Sequence, residues 1–94
     1  MHLGVYMDIK MLKFEKTKIG WDIVFNVNLT EEESSKYNID KIKYVGDYDI
    51  KKESNLIVFS FSFDEGELEE NETIEKRLDI IKKDIMSLNQ NCLS

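Results

Sequence analysis

Residues 22–29, DIVFNVNL, and residues 56–63, LIVFSFSF, share one alternation of apolar side chains, and this alternation decides the fold. Large apolar side chains occupy every second position of each octet, which is the period of a β-strand with one buried face. A polar segment precedes each octet, and a further alternating stretch precedes each polar segment. We therefore predict two antiparallel hairpins in which each octet is the second strand.

The first strand of the first hairpin contains a change of parity. Its alternation runs from Val5 to Met11 and then continues in the opposite parity at Leu12 and Phe14. A β-bulge near Met11–Leu12 would absorb that slip, because a bulge inserts one extra residue into a strand. The predicted strands span about residues 3–14, 20–29, 41–51 and 56–63.

The C-terminal part of the chain has the period of a helix. Apolar side chains recur there at spacings of four and three residues, which predicts a helix over about residues 73–90, capped by Asn71 or Thr73. Upstream, Thr30 and Glu33 have the spacing of a capping box, which predicts a short helical turn through residues 34–37. The apolar stripe of the long helix consists of Ile74, Leu78, Ile81, Ile85 and Leu88.

Together these patterns predict one α+β domain over residues 1–94: a four-stranded, mainly antiparallel sheet of two hairpins with one C-terminal helix packed on one face. Four strands about 4.8 Å apart make a sheet roughly 19 Å wide, whereas a helix is about 10 Å across. The two octets therefore present more apolar surface than one helix covers. We expect a second copy or another protein to cover the rest, and the helix stripe to serve packing or self-association. The expected state is a homodimer or a higher oligomer.

The formal net charge of −6 is concentrated in one part of the chain. Residues 54–75 carry a net charge of −7, whereas residues 1–29 carry +1. This field disfavours direct contact with nucleic acid and favours a protein partner with a basic groove. The candidate contact residues lie in an acidic connector, residues 64–72, and are Asp64, Glu65, Glu67, Glu69, Glu70 and Glu72.

The residue types that most catalytic sites need are scarce. The only histidine, His2, lies in a terminus that we expect to be mobile, so no serine or cysteine triad is expected within one chain, and no phosphate-binding or metal-binding motif is present. Cys92 is the only cysteine and is expected to be a free thiol in a frayed C-terminal tail. We expect the carboxylates to form a solvated surface. We predict no enzyme activity, no cofactor and no metal site.

Targeting signals are also missing from the sequence. No apolar run approaches the ~18 residues of a spanning helix, and the first residues lack the pattern of a signal peptide. We therefore expect a cytoplasmic protein without a membrane partner. The chain has no alanine, no proline, and twelve lysines against one arginine, a bias typical of a low-GC bacterium, its phages or its mobile elements.

These observations favour a non-catalytic, acidic protein-binding module. By analogy of charge and size, the acidic connector would imitate a nucleic-acid backbone and so inhibit a host protein that handles nucleic acid. One alternative is a structural adaptor or assembly subunit that uses an uncovered apolar sheet face. Another is a small holdase-like chaperone that offers the aromatic side chains of Phe59, Phe61 and Phe63 to unfolded chains.

Overall fold

A computed structural model describes residues 8–42 and 48–93 of the chain. Its strands are β1 (Asp8–Lys16), β2 (Gly20–Asn28), β3 (Asp49–Glu53) and β4 (Leu56–Asp64), and its helices are α1 (Glu31–Lys36) and α2 (Ile74–Leu93). The four strands form one sheet in which every pairing is antiparallel, and α2 follows the sheet. The α+β prediction is confirmed.

The strand order β1-β2-β4-β3 places the two octets side by side in the centre of the sheet. Phe25 lies opposite Phe59 and Val27 lies opposite Ile57, and all four side chains are buried. The two octets resemble each other because both are central strands that face the same helix. Each is the second strand of its hairpin, as the alternation predicts.

The predicted bulge in the first strand is confirmed. The register between β1 and β2 shifts between Met11 and Lys13, which leaves Leu12 as the additional residue. Met11 then lies opposite Phe25, and Phe14 lies opposite Ile23. Because paired residues point to the same side of a sheet, Met11 and Phe14 share the face on which α2 packs.

The turn of the first hairpin depends on Gly20. The Thr17 backbone N–H donates to the Gly20 carbonyl at 2.8 Å, and the Gly20 N–H donates to the Thr17 hydroxyl at 3.0 Å. A Cβ at residue 20 would lie 1.9 Å from the carbonyl oxygen of Phe63 on the neighbouring strand. Only glycine allows β2 and β4 to approach this closely.

The third strand begins later than predicted. Residues 39–41 form a 3₁₀ turn capped by the Asn38 side chain, and Ile42 ends that turn with its side chain buried in the core. An apolar residue buried by a turn looks the same in sequence as the first residue of a strand, which explains the error. The strand also continues to Glu53, and the chain reverses after it, at Ser54 with a φ of 55°. Residues 3–7 and 43–47 of the predicted strands lie outside the described residues.

Both helices begin with the predicted caps. The Thr30 hydroxyl accepts from the Glu33 N–H at 3.1 Å, and the Glu33 carboxylate accepts from the Thr30 N–H at 2.8 Å, which completes the capping box of α1. At the start of α2, the Thr73 hydroxyl accepts from the Lys76 N–H at 3.2 Å. These contacts satisfy backbone donors that have no partner within the helix.

Helix α2 packs on the sheet face that carries Phe25 and Phe59, and Ile81 and Ile85 enter the same buried cluster. The helix extends to Leu93, and Cys92 is fully buried within it. The expectation of a frayed tail is therefore wrong. Asn89 and Cys92 continue the buried stripe beyond Ile85 at helical spacing, but a polar asparagine hides that continuation in the sequence.

Candidate protein-interaction surface

Exposed apolar side chains gather on the first hairpin. Among the described residues, the large hydrophobic side chains that remain exposed are Met11 (47%), Leu12 (58%), Phe14 (41%), Ile19 (69%) and Ile80 (55%). Four of these five lie in β1 or in the turn that follows it. We refer to Met11, Leu12, Phe14 and Ile19 as the hairpin surface.

The position of β1 at the edge of the sheet explains this exposure. Helix α2 lies over the central strands, and Tyr37, Ile39 and Ile42 from the connection after β2 join it there. Of the apolar side chains in β1, Ile9 is partly buried and packs against the core, whereas Met11, Leu12 and Phe14 are exposed. The expected excess of apolar surface is therefore present, but it lies on β1 and not on the octets.

A row of rings holds the hairpin surface in a fixed shape. The Phe14 ring stacks on Trp21 with centroids 6.4 Å apart, and Trp21 stacks on Phe63 at the same distance. The Arg77 guanidinium of α2 lies 5.5 Å from the centroid of the Phe63 ring. This row connects the edge strand with the helix across three strands, so Phe14 is exposed but not loosely held.

An open cleft of about 510 Å³ adjoins the hairpin surface at the turn. Ile19, Trp21 and Phe63 supply apolar parts of its lining, and Lys18, Asp22 and Glu67 supply charged groups. Lys16 lies at the same end of the sheet, with its ammonium 4.6 Å from the Trp21 ring centroid and 3.4 Å from the Glu65 carboxylate. An apolar centre bordered by charges is the usual composition of a protein interface.

The acidic connector is largely occupied by its own contacts. The Asp64 carboxylate accepts from the Gly66 N–H at 2.8 Å, and the Glu67 carboxylate accepts from the Asp64 N–H at 3.0 Å, which caps a 3₁₀ turn. Glu65 pairs with Lys16. These three carboxylates hold the chain in place as it leaves β4.

Glu72 joins the end of the connector to α2. Its carboxylate accepts from the Arg77 guanidinium at 2.7 Å and from the Glu69 N–H at 2.9 Å. The hydrogen bond from Arg77 is the main cause that lowers the pKa of Glu72, and the same bond raises the pKa of Arg77. Of the six candidate carboxylates, Glu69 and Glu70 are exposed; Glu69 is near enough to Arg77 for its charge to help raise the pKa of Arg77, and the structure describes no such contact for Glu70.

The apolar stripe of α2 faces the sheet. Ile81 and Ile85 are buried, and Leu78 and Leu88 are half-buried and pack against the core. Ile74 is half-buried at the start of the helix. A contact with a second copy through Ile81 and Ile85 would require the helix to leave the sheet.

The sequence does not reveal a buried polar cluster near the end of α2. The Tyr37 hydroxyl donates to the Asn89 side-chain oxygen, and the Asn89 amide donates to the Ile85 carbonyl at 2.7 Å. Burial raises the pKa of Tyr37 and of the neighbouring Cys92 thiol. The Asn38 N–H also donates to the Cys92 carbonyl at 3.0 Å. This cluster fixes the end of α2 against the segment after α1 and has the features of a structural contact.

Within residues 8–42 and 48–93, no three histidine, cysteine or carboxylate side chains are grouped closely enough to share a metal ion. No helix in the same ranges has both the length and the apolar character needed to cross a bilayer.

Comparisons with protein-family models, with curated proteins and with solved structures found no match for this chain. The hairpin surface and the acidic connector are therefore the features on which a functional argument rests.

Proposed function

We propose that the chain is a non-catalytic protein-binding module that contacts its partner through the hairpin surface. The observation that carries this proposal is the concentration of exposed apolar side chains: four of the five lie on one hairpin. Single exposed apolar residues are common on soluble proteins, whereas their concentration in one hairpin favours a contact surface there.

Burial of the hairpin surface would favour association with a protein. A large aliphatic or aromatic side chain contributes roughly 1.5–3 kcal/mol when it is fully buried, so these four together supply several kcal/mol toward association. The stacked ring of Trp21 behind Phe14 reduces the ordering that binding would require, because Phe14 is already held. Lys16 and Glu65 at the border would contribute more to selectivity than to affinity.

The side chains available for chemistry support a non-catalytic role. The single cysteine is buried beside Tyr37, so its thiol is not presented to a substrate. The aromatic side chains named for the chaperone alternative do not form an open surface, because Phe59 is fully buried and Phe61 and Phe63 are only partly exposed. An adaptor or assembly role agrees with the hairpin surface and is contained in this proposal.

A pair of isoleucine substitutions tests the proposal. Ile19 and Ile80 are both exposed isoleucines, but only Ile19 lies on the hairpin surface. The immobilised chain and its Ile19→Lys and Ile80→Lys variants are each incubated with a lysate of a low-GC bacterium. Quantitative mass spectrometry then compares the retained proteins. We expect at least one protein that the wild type and Ile80→Lys retain equally and that Ile19→Lys loses at least tenfold.

Two results would contradict the proposal. Equal retention of every protein by Ile19→Lys and the wild type would show that the hairpin surface is not the contact. A greater loss with Ile80→Lys would move the contact to α2. Circular dichroism of both variants verifies that each is folded, as expected for substitutions at exposed positions.

A second candidate function is that the acidic connector binds a basic groove and so inhibits a protein that handles nucleic acid, such as a host target of a phage or mobile element. The exposed carboxylates of Glu69 and Glu70, in a segment without lysine, favour it. The same capture experiment separates the two candidates, because high salt screens charge contacts but does not weaken apolar burial. Proteins held by the connector would be released as salt rises, and those held by the hairpin surface would stay bound.

A further inference from the structure

The two edges of the sheet both carry charged side chains, but they differ in length and in apolar content. β3 has five residues, DIKKE, and a short, charged strand of this kind discourages pairing with another chain. β1 has nine residues and carries Ile9, Met11, Leu12 and Phe14. Within the described ranges, no strand pairs with the outer edge of β1. The backbone of β1 therefore offers a template for one further strand.

We propose that this further strand is β1 of a second copy, paired antiparallel about a two-fold axis. A two-fold pairing requires that the strand be complementary to itself, and opposite residues must point to the same side of the sheet. The bulge at Leu12 limits the registers in which two copies of β1 can pair. Before it, Lys10 points away from α2 and Met11 toward it; after it, Lys13 points away and Phe14 toward it. A two-fold pairing centred on the bulge keeps the faces matched in two registers.

Charge separates these two registers. Both registers bring apolar side chains together, Ile9 with Phe14 in the first and Met11 with Phe14 in the second, so charge decides between them. In the first register Lys10 lies opposite Lys13 and Asp8 lies opposite Glu15, which places like charges together. In the other register Lys10 lies opposite Glu15 and Met11 lies opposite Phe14, and the symmetry makes each contact twice. Opposite charges stabilise neighbouring strands, whereas like charges destabilise them. The second register is therefore the one that β1 supports.

The side chains required for this pairing are accessible. Lys10 is 63% exposed and Glu15 is 69% exposed. Their existing partners are on their own strand, with Lys10 3.9 Å from Asp8 and Lys13 3.6 Å from Glu15. Such exposed pairs contribute little to stability, so a contact with the second copy can replace or extend them.

The resulting dimer has a continuous eight-stranded sheet with both α2 helices on the same face. Met11, Phe14 and Trp21 of the two copies then form one apolar trough between the helices. This inference rests on the proposed function because it uses the same hairpin, and it specifies the second copy as one partner. Ile19, at the far end of each hairpin, stays outside the pairing.

Charge reversal tests the register. Sedimentation velocity at micromolar concentration should show that the wild type dimerises. Lys10→Glu and Glu15→Lys should each weaken dimerisation about tenfold, because each converts two attractive contacts into repulsive ones. An equimolar mixture of these two variants should form a heterodimer, and the double variant should recover the wild-type affinity. Lys13→Glu is the matched control and should have little effect, because Lys13 lies opposite Leu12 in this register.

A wild type that stays monomeric, or single variants that dimerise as the wild type does, would overturn the inference. Stronger dimerisation of Lys13→Glu would also overturn it, because only the rejected register brings Lys13 and Lys10 together. Failure of this inference is distinguishable from failure of the proposed function. Ile19→Lys should lose the captured protein but still dimerise, whereas the double charge variant should keep both properties.

Discussion

Gly20 shows how strongly one residue can be constrained by a neighbouring strand. Its backbone lies so close to β4 that a Cβ would overlap the Phe63 carbonyl oxygen. We expect Gly20→Ala to destabilise the protein by about 1–3 kcal/mol or more, because either the turn or the pairing of β2 with β4 must shift. Urea denaturation measures this change.

Gly66→Ala provides the control for that prediction. A Cβ at residue 66 would approach only the Asp64 carboxylate, at 3.3 Å, and that side chain can move. Its effect should stay within about 0.5 kcal/mol. Comparable losses of stability in the two variants would show that close approach to Phe63 is not the reason for glycine at residue 20.

At the same scale, the sequence predicts buried positions well where they follow a period. Phe25 and Ile57 sit at alternating positions, and Ile81 and Ile85 at helical spacing, and all four are buried. Asn89 is equally buried, but the sequence does not predict it, because a polar residue enters a core only when its partner is present. That partner is the Tyr37 hydroxyl, 52 positions away, and no local sequence pattern predicts this contact.

At the scale of elements, the strands and helices form where the periods of apolar residues predict them. The exceptions are residues that tertiary packing buries outside a strand, at spacings that resemble those of a strand. β2, β4 and α2 lie within a few residues of their predicted bounds, and both caps and the bulge are confirmed. The beginning of β3 is wrong because Ile42 is buried from a 3₁₀ turn. Likewise, the acidic connector resembles a free charged segment, but Asp64 and Glu67 cap each other and Glu72 holds Arg77.

The ion pair at the start of α2 predicts a dependence of stability on pH. The pKa of Glu72 is lowered in the folded state from its ordinary value of 4.5, mainly by the hydrogen bond from Arg77. A lowered folded-state pKa stabilises the protein above the pKa of the unfolded state, and this contribution is lost as pH falls through the folded-state pKa. Glu72→Gln should therefore be less stable than the wild type at pH 7, and the difference should narrow on acidification toward pH 3.

Glu70→Gln removes the same charge from an exposed neighbouring position and serves as the control. Its unfolding free energy, measured by denaturant titration at both pH values, should stay close to that of the wild type. A Glu72→Gln deficit that is equally large at pH 3 would show that the loss comes from altered packing and not from the ion pair.

At the scale of the whole molecule, the strand order determines where the interaction surface lies. The sequence predicts that one helix cannot cover the whole sheet, and it identifies the octets as the most apolar strands. It does not reveal that both octets are central or that the segment after β2 adds Tyr37 and Ile42 to the covering layer. The exposed apolar surface therefore lies on β1, whose alternation of apolar residues is less regular than that of the octets. The position of a strand in a sheet depends on which strands it pairs with. Pairing between segments that are distant in sequence cannot be predicted from the local pattern of either segment.

The same strand order has a consequence for how the chain folds. Each hairpin closes a short loop, but the central pairing of β2 with β4 joins residues from 28 to 44 positions apart, from Asn28–Leu56 to Gly20–Asp64. Closing such long loops costs entropy before the central contacts repay it. We expect the docking of one preformed hairpin on the other to limit the folding rate.

Ile57→Val examines that step, because Ile57 is fully buried opposite Val27 in the central register. The substitution should cost about 0.5–1.5 kcal/mol, and stopped-flow refolding should show much of that loss as slower folding. If only the unfolding rate changes, the two octets meet after the barrier and not on it. The pairing of the octets would then stabilise the finished sheet without setting the pace of its assembly.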